Sequence, residues 1–335
     1  MVENISVIGA GSWGTTLAIL LASKSIETTL WIYEKDQIPL LSTQRTNEKY
    51  LPGIPFPEKL LLTGELTGAV QQADLIILAT PTHVIRQICG QIKDFVSTTQ
   101  LIVNVAKGIE NDTLMRMSEV IHETLKVPIS NIATVHGPSH AEEVSRGIVT
   151  AVVAASRSIQ TARNIRDIFS TDYFRVYSST DIIGVELGGA LKNIIALAAG
   201  ICDGAGFGDN TKAALLTRGM VEMTRLGVFL GARKETFSGL SGIGDLIVTC
   251  MSKHSRNRFV GEEIGKGKTL QDVLSKMVMV AEGVLTTRSV HQLMLKHKIE
   301  MPISEQVYQV LFDQKNPHEA VHDLMSRDPK EETLE

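Results

Sequence analysis

A single lysine lies in the most apolar stretch of the chain, and this setting suggests acid–base chemistry. Lys192 sits in the segment 186–200, where almost every other residue is apolar or small. A helix that is hydrophobic on all sides is buried, and lysine is rarely buried without a partner. Desolvation and neighbouring cations favour the neutral amine, which makes Lys192 a candidate general base. The alternative is a lysine that extends to the surface.

The same helix contains residues that lower its intrinsic stability. Gly188, Gly189 and Asn193 are poor helix formers. We therefore expect that a ligand or another helix approaches closely at this point.

Three further polar clusters are candidates for substrate contacts. Lys107 comes directly after a predicted buried strand, and Gly137 and Ser139 lie in a turn after another. Ligands bind at the carboxyl ends of strands in sheets of this kind, although an ordinary solvated turn is the alternative for both. In the third cluster, Asp245 precedes the run Ser255, Arg256 and Asn257. A helix that starts near Arg256 with Ser255 as its cap suits a phosphate group, and a routine helix cap with a surface arginine is the alternative.

The N-terminus carries a glycine pattern that is typical of dinucleotide binding. A short apolar strand leads into Gly9, Gly11 and Gly14, and an apolar helix follows. In this pattern the first glycine forms the tight turn, the second admits the pyrophosphate and the third allows close packing of the helix. Tyr33 and Glu34 end the second predicted strand, about 20 residues beyond the glycines, where an acid can bond the ribose 2′-hydroxyl.

The elements that must position these residues differ between the two halves of the chain. The first half alternates apolar strands with helices, which predicts a doubly wound, Rossmann-type sheet with parallel strands. The predicted strands are 2–8, 28–33, 75–79, 101–105, 132–135, 150–154 and 174–177, and the intervening helices are 65–72, 83–93, 113–124 and 159–169. The second half predicts only helices, at 182–199, 212–230, 258–265, 270–278, 286–297 and 303–312. We expect a dinucleotide-binding domain over 1–180 and an all-α substrate-binding domain over 181–335.

Composition narrows the class of protein. The chain has 335 residues, a net charge of −4 and no basic block, which disfavours nucleic acid as a partner. Its three scattered cysteines, Cys89, Cys202 and Cys250, fit a reducing compartment without disulfides. No apolar run suggests a membrane span, and we expect no cleavable leader before the first strand. We expect a cytoplasmic protein, with no metal site and with a homodimer as a plausible assembly.

Taken together, these motifs resemble the NAD(P)-dependent glycerol-3-phosphate dehydrogenases over nearly the whole chain. The matching stretches are G-A-G-S-W-G-T-T-L-A, Y-L-P-G, V-A-K-G-I-E, G-P-S-H-A-E-E-V, E-L-G-G-A-L-K-N, G-F-G-D-N-T-K, L-S-G-I-G-D-L, S-R-N-R and E-G at 282–283. The resemblance implies transfer of hydride between NAD(P)H and dihydroxyacetone phosphate. The product, sn-glycerol 3-phosphate, implies a role in phospholipid synthesis.

The resemblance also implies roles for individual residues. Lys192 matches the family's proton acceptor. The implied substrate contacts are Lys107, Gly137, Ser139, Lys192, Asp245, Ser255, Arg256 and Asn257. The implied cofactor contacts are Ser12, Trp13, Lys107, Ala141, Arg256, Val280 and Glu282, of which Val280 and Glu282 rest on the resemblance alone.

One position departs from many bacterial members of that family, which carry a basic residue at the end of the second strand. Glu34 occupies this place here. A carboxylate repels a 2′-phosphate and accepts from a 2′-hydroxyl, which favours NAD over NADP, and the adjacent Lys35 could soften that preference. Two other functions stay open: a hydroxy-acid dehydrogenase of the same architecture, and a dinucleotide-sensing module without turnover.

Overall fold

The structure is a computed structural model that describes residues 2–277, 279–329 and 331–332. It divides into two compact units. The sheet unit comprises Met1–Ala106 and Met117–Ile182, and the helical unit comprises Lys107–Arg116 and Ile183–Glu335. The expected domain boundary at residues 180–181 lies two residues before the division at Ile182. The sequence predicts 107–116 to be part of the first domain, whereas this segment belongs to the helical unit. The predicted helix end at Val278 and the last three residues lie outside the described residues.

An eight-stranded sheet forms the centre of the sheet unit. In the part of the chain that the structure describes, ten strands occur in chain order: β1 (Asn4–Ile8), β2 (Glu27–Trp31), β3 (Thr46–Asn47), β4 (Leu51–Pro55), β5 (Leu60–Thr63), β6 (Leu75–Leu78), β7 (Leu101–Asn104), β8 (Ile132–His136), β9 (Thr150–Ser156) and β10 (Phe174–Ser179). The sheet order is β10-β9-β8-β7-β6-β1-β2-β5, and β3 and β4 form a separate antiparallel hairpin. All seven predicted strands are present.

The sheet is parallel, as predicted, except at one place, where β8 and β9 pair antiparallel. The other neighbours in the sheet are parallel. The connection from β8 to β9 contains only one short helix, Ala141–Val144, rather than the longer helix that usually joins two parallel strands. Strands β3, β4 and β5 were not predicted, since they are short or contain proline and glycine.

Within the described residues of the sheet unit, seven α-helices accompany the sheet: α1 (Ser12–Ser23), α2 (Ile38–Gln44), α3 (Leu66–Gln71), α4 (Thr82–Ile92), α5 (Met117–Leu125), α6 (Ala141–Val144) and α7 (Ile159–Phe169). Strand β6 is buried along its whole length, as expected for a strand that is covered on both faces. Helix α4 buries Ile85, Ile88, Cys89 and Ile92, which recur at helical spacing. These faces bury the sheet and leave the carboxyl ends of its strands as the place for a ligand.

The helical unit contains nine helices among the described residues: α8 (Ile182–Gly204), α9 (Asp209–Phe229), α10 (Lys234–Phe237), α11 (Asp245–Met251), α12 (Arg256–Gly265), α13 (Leu270–Leu274), α14 (Glu282–His297), α15 (Pro302–Phe312) and α16 (Pro317–Met325). Helix α8 is the core element, and α12 packs directly on it. A Cβ on Gly200 would lie 2.0 Å from the Arg258 carbonyl oxygen, and one on Gly261 would lie 2.0 Å from that of Leu197. The absence of side chains at these two glycines therefore lets the two backbones touch.

Helix α8 also corrects an expectation from composition. In the part of the chain that the structure describes, it is the one helix long and apolar enough to cross a membrane, although no such run was anticipated. Within its most apolar 18-residue window, 94% is buried inside the structure. Packing in the protein core therefore accounts for its hydrophobicity.

Candidate active site

The glycine turn between β1 and α1 has the geometry that its sequence predicts. Gly9 has φ +116°, a left-handed conformation that glycine adopts without strain. A Cβ on Gly14 would lie 1.9 Å from the Gly9 carbonyl oxygen, so glycine is required for the helix to start here. By contrast, a Cβ on Gly11 would meet nothing within 4 Å. The open space at Gly11 and the positive end of the α1 helix dipole fit a pyrophosphate group.

Two of the implied cofactor contacts in the sheet unit, Ser12 and Ala141, lie close together because both contact the hydroxyl group of Thr16. Thr16 Oγ1 donates to the Ser12 carbonyl oxygen at 2.8 Å and lies 3.4 Å from that of Ala141. Trp13 packs against Phe174, with 6.3 Å between ring centroids. Ala141 begins the short helix α6, so the start of α1 and the start of α6 are neighbours.

The turn after β8 holds the two predicted substrate contacts of the sheet unit. Gly137 has φ +150°, and a Cβ there would lie 2.9 Å from the Val152 Cα on the neighbouring strand β9. The Ser139 hydroxyl donates to the Gly137 carbonyl oxygen at 3.0 Å. Glycine is thus required by the sheet at this point, and its role toward a ligand stays a prediction.

The end of β2 presents Tyr33 and Glu34 as the sequence predicts, but with additional partners. Tyr33 is 77% exposed, so its ring is available to a ligand. The Glu34 carboxylate accepts from Lys49 Nζ at 2.6 Å and lies 3.3 Å from the Tyr50 hydroxyl. Both partners come from the turn of the β3–β4 hairpin. This contact was not predicted, because it joins residues that no local sequence pattern connects.

Lys107 enters the helical unit directly after a turn that follows β7. The Asn104 side chain closes this turn, since its Nδ2 donates to the Ala106 carbonyl oxygen at 2.9 Å and its Oδ1 accepts from Ala106 N at 3.1 Å. Asn193 on α8 then donates to the Lys107 carbonyl oxygen at 3.4 Å. The backbone of Lys107 is therefore held beside the helix that carries Lys192.

The rest of the segment 107–116 is anchored to the helical unit by two buried contacts. Arg116 and Glu186 form an ion pair at 2.6 Å, with side-chain exposures of only 9% and 3%. The Ser289 hydroxyl on α14 donates to Asn111 Oδ1 at 2.6 Å. Loss of either partner of a buried pair is costly, so this segment has a fixed position on α8 and α14.

Three of the predicted site residues form one buried charged cluster. Lys107 Nζ contacts Asp245 Oδ2 at 2.7 Å, and Lys192 Nζ contacts Asp245 Oδ1 at 3.1 Å. Lys192 also donates to the Thr249 hydroxyl at 2.5 Å, and that hydroxyl donates to the Asp245 carbonyl oxygen at 2.6 Å. Lys192 is buried, as predicted, and Lys107 is about one-fifth exposed. One carboxylate therefore holds two amines, and only one of the two is sealed from solvent.

The electrostatics of this cluster favour proton exchange at Lys192. Burial lowers the pKa of the Lys192 amine to about 8, although the attraction of Asp245 opposes this change and the charge of Lys107 adds to it. Burial alone would raise the pKa of the Asp245 carboxyl, but contact with Lys107 and Lys192 holds it below its usual range. Asp245 thus remains an anion, and Lys192 can gain or lose a proton near neutral pH.

A π-helical turn of the backbone places Asp245. Residues Leu240–Gly244 form a π-helical turn that runs directly into α11, of which Asp245 is the first residue. Turns of this kind are frequent at functional sites, and a carboxylate at a helix N-terminus is stabilised by the helix dipole. A Cβ on Gly188 would lie 2.5 Å from the Ser241 carbonyl oxygen. The expected close approach at Gly188 is therefore confirmed, and the approaching group is the backbone of this turn.

The predicted phosphate cluster lies at the start of α12. Ser255 is the N-cap, and its hydroxyl accepts from Arg258 N at 3.2 Å. Arg256 is exposed, whereas Asn257 is buried and its Oδ1 accepts from Gly283 N at 2.9 Å. That bond places the start of α14, with Glu282, beside the start of α12. Val280, two residues earlier, is 37% exposed.

Two family models match this chain, one over its first half and one over its second half. Residues 4–162 match the family model described as NAD-dependent glycerol-3-phosphate dehydrogenase N-terminus, and residues 181–322 match the model of its C-terminus. The chain belongs to the NAD-dependent glycerol-3-phosphate dehydrogenase family. It is 52% identical to the glycerol-3-phosphate dehydrogenase [NAD(P)+] of Chlorobium limicola over 330 residues, 98% of this chain and 99% of the relative.

Other members of the glycerol-3-phosphate dehydrogenase family are also similar over full length. The enzyme of the same name from Thermoanaerobacter sp. is 51% identical over 98% of both chains. A crystal structure of glycerol-3-phosphate dehydrogenase from Coxiella burnetii aligns with a TM-score of 0.93 at 37% identity, covering 97% of this chain and 99% of that chain. The resemblance inferred from the motifs is therefore confirmed, as is the Rossmann-type sheet followed by helices.

Sequence reasoning missed one member of the buried cluster. Thr249 was not singled out, although it lies four residues after Asp245 and therefore on the same face of a helix. The helix itself was not predicted, because α11 has only seven residues and exposes Ile247 and Met251. A pattern so short and so apolar does not distinguish a helix from a strand.

Proposed function

We propose that this protein is a glycerol-3-phosphate dehydrogenase, which reduces dihydroxyacetone phosphate to sn-glycerol 3-phosphate and catalyses the reverse reaction. The observation that carries the proposal is the buried amine of Lys192, fixed on Asp245 beside Lys107. Relatives that are about half identical over the full chain bear that enzyme name. A binding module without turnover has no use for such an amine.

The sheet unit is the proposed site of NAD or NADP. Gly9, Gly11 and Gly14 with the start of α1 fit the pyrophosphate, and Tyr33 and Glu34 fit the adenosine ribose. Ser12, Trp13 and Ala141 complete the proposed contacts from this unit, with Lys107, Arg256, Val280 and Glu282 from the helical unit. When bound, the dinucleotide supplies the hydride for reduction or accepts it in oxidation. We propose a preference for NAD over NADP, because the carboxylate of Glu34 repels a 2′-phosphate.

The helical unit supplies the proposed substrate contacts. The start of α12 offers a serine hydroxyl, an exposed guanidinium and an amide, which together suit a phosphate group. Lys107, Asp245 and Lys192 would meet the reacting carbon and its oxygen. We propose further contacts from Gly137 and Ser139.

Lys192 performs the proton transfer in this proposal. In reduction its ammonium gives a proton to the ketone oxygen at C2, which becomes the hydroxyl group. In oxidation the neutral amine takes that proton back from the C2 hydroxyl. The positive charge of Lys107 stabilises negative charge on the C2 oxygen as it develops. Asp245 and Thr249 hold the amine in one position, so that no side-chain ordering is needed at the moment of reaction.

The loss of NADH absorbance after addition of dihydroxyacetone phosphate tests this function. We expect rapid oxidation of NADH with this substrate and at most slow oxidation with hydroxyacetone, which lacks the phosphate. Turnover of a non-phosphorylated keto acid with no turnover of dihydroxyacetone phosphate would instead identify a hydroxy-acid dehydrogenase. Coenzyme binding with no turnover of any of these compounds would identify a sensing module.

The cellular setting is part of the same proposal. The product is the backbone of phospholipids, so we propose a role in membrane lipid synthesis. We propose a cytoplasmic location, supported by Cys89, Cys202 and Cys250, which are all free and buried. We also propose a homodimer, supported by apolar side chains that the helical unit exposes, such as Phe229 and Leu295 at 54% and 68%. Sedimentation equilibrium of the purified protein tests the dimer.

A further inference from the structure

An ion pair at the end of β2 has no part in the reaction described above. Lys49 Nζ lies 2.6 Å from Glu34 Oε1, with side-chain exposures of 41% and 33%. The Tyr50 hydroxyl approaches the same carboxylate at 3.3 Å. The hydrogen bond to Glu34 raises the pKa of Lys49 above its usual value, so this amine is charged at neutral pH.

The hairpin that carries Lys49 is fixed to the glycine turn. Asn47 is 2% exposed, and its Nδ2 donates to the Ala10 carbonyl oxygen and to Thr15 Oγ1, both at 2.9 Å. Its Oδ1 accepts from Tyr50 N at 3.3 Å. The turn that should hold the pyrophosphate and the turn that carries Lys49 are therefore joined by one buried amide. This joint gives Lys49 a defined position relative to the proposed coenzyme site.

Other cations in this region are engaged elsewhere. Lys35 pairs with Glu65 at 2.9 Å, and both side chains are mostly exposed. Arg45 donates to the backbone carbonyl oxygens of Leu60 and Glu58, each at 3.1 Å. Lys49 is thus the cation that the described residues place on the Glu34 carboxylate.

We propose that Lys49 is the residue that lets this chain accept a coenzyme with a 2′-phosphate, despite the carboxylate of Glu34. The inference rests on the proposed function and names the specificity device of the same coenzyme site. With a 2′-hydroxyl, Lys49 stays on Glu34, whose second oxygen accepts the hydroxyl hydrogen. With a 2′-phosphate, the flexible stem of Lys49 carries the amine to the phosphate and neutralises it. The pair therefore serves both coenzymes by the movement of one side chain.

The consequence of removing this amine differs between the two coenzymes. Without Lys49, the carboxylate of Glu34 faces a 2′-phosphate dianion with no cation between them. We expect Lys49→Met to weaken binding of 2′-phosphorylated ligands about tenfold, the order of one charged contact. Ligands with a free 2′-hydroxyl keep their partner Glu34 and should change by less than about threefold.

The test uses ligand fragments, so that it does not depend on turnover. Bound NADH is displaced with AMP or with adenosine 2′,5′-bisphosphate, and NADH fluorescence reports the displacement. We expect Lys49→Met to weaken only the bisphosphate, and Lys49→Arg to retain its affinity. Lys35→Met is the matched control, because it removes a neighbouring surface lysine from a different ion pair. The same variants are then compared in kcat/KM for NADPH and NADH.

An unchanged ratio of bisphosphate to AMP affinity in Lys49→Met overturns the proposal. So does an equal loss in Lys35→Met, which would assign the effect to general surface charge. If the protein binds both fragments as expected but oxidises no NADH with dihydroxyacetone phosphate, the proposed function fails while the role of Lys49 stands.

Discussion

Replacement of Lys107 by methionine should raise the pH at which Lys192 loses its proton. Lys107 and Lys192 contact different oxygens of Asp245, at 2.7 and 3.1 Å. The charge of Lys107 is one of the causes that lower the pKa of Lys192 to about 8. Without that charge, the attraction of Asp245 acts on Lys192 alone. The protonated form of Lys192 therefore becomes more stable.

The size of the shift follows from the geometry. Since a carboxylate separates its oxygens by roughly 2 Å, the two amine nitrogens are at most about 8 Å apart, and their repulsion at an effective dielectric constant near 20 is about 2 kcal/mol. That energy corresponds to roughly 1.5 pKa units. Lys107 is 19% exposed, and solvent screening reduces its effect, so we expect an upward shift of about one unit.

The assay is the pH profile of kcat/KM for oxidation of sn-glycerol 3-phosphate, which reports the titration of the free enzyme. This reaction needs the neutral amine, so kcat/KM should rise with pH through a midpoint near 8 in the wild-type protein. In Lys107→Met the midpoint should move to about 9, whatever the loss in maximum rate. Lys266→Met is the matched control, because Lys266 forms an exposed ion pair with Glu262 in the same unit. Its midpoint should equal that of the wild type.

Asp245→Asn should shift the midpoint of the pH profile in the opposite direction. Removal of the carboxylate removes the main cause that raises the pKa of Lys192, so the midpoint should fall below 8. An unmoved midpoint in Lys107→Met, or a shift in the same direction in both variants, would refute the electrostatic reasoning.

Two further predictions concern stability. Gly188→Ala should destabilise the protein by about 1–3 kcal/mol, because its Cβ would lie 2.5 Å from the Ser241 carbonyl oxygen, whereas Gly90→Ala in α4 meets nothing within 4 Å and should stabilise it by up to about 1 kcal/mol. Urea denaturation of both variants measures the difference, and equal effects would contradict the packing. Burial raises the pKa of Glu222 from 4.5 to about 7 despite hydrogen bonds from Ile303 N, Ser304 N and the Ser304 hydroxyl. The folded protein therefore binds this proton more tightly than the unfolded chain, and the resulting stability, complete below pH 4.5, is lost as the pH rises to about 7. The melting temperature of the wild type minus that of Glu222→Gln should therefore fall between pH 4.5 and about 7. A difference that stays constant over this pH range would show that Glu222 keeps its ordinary pKa.

Much of the fold could be predicted because its signals are local. The buried strands are continuous apolar runs, and α7 begins and ends where its periodicity predicts. The strand β9 was predicted but its antiparallel direction was not, because strand direction depends on the path of the connection rather than on the strand itself. The placement of 107–116 was missed for a similar reason, because the Arg116–Glu186 pair joins residues 70 positions apart.

In the candidate site, too, the features with local sequence signals were predicted and the long-range contacts were not. Lys192 was predicted as a buried amine because its neighbours in sequence are apolar, and the start of α12 was predicted because a serine cap is a local pattern. The contact of Asp245 with both lysines, and that of Lys49 with Glu34, depends on the fold. The resemblance to the dehydrogenase family implied that Asp245 contacts the substrate. Only the distances in the structure show that its carboxylate contacts both amines.

The central claim is that Lys192 exchanges the proton, and Lys192→Ala tests it most directly. The measurement is kcat for dihydroxyacetone phosphate reduction, with NADH binding followed by fluorescence on the same sample. We predict that kcat falls about 10²- to 10⁴-fold, the usual contribution of a positioned acid or base, while NADH binding is retained. A variant that binds NADH and reduces dihydroxyacetone phosphate at the wild-type rate would contradict the account.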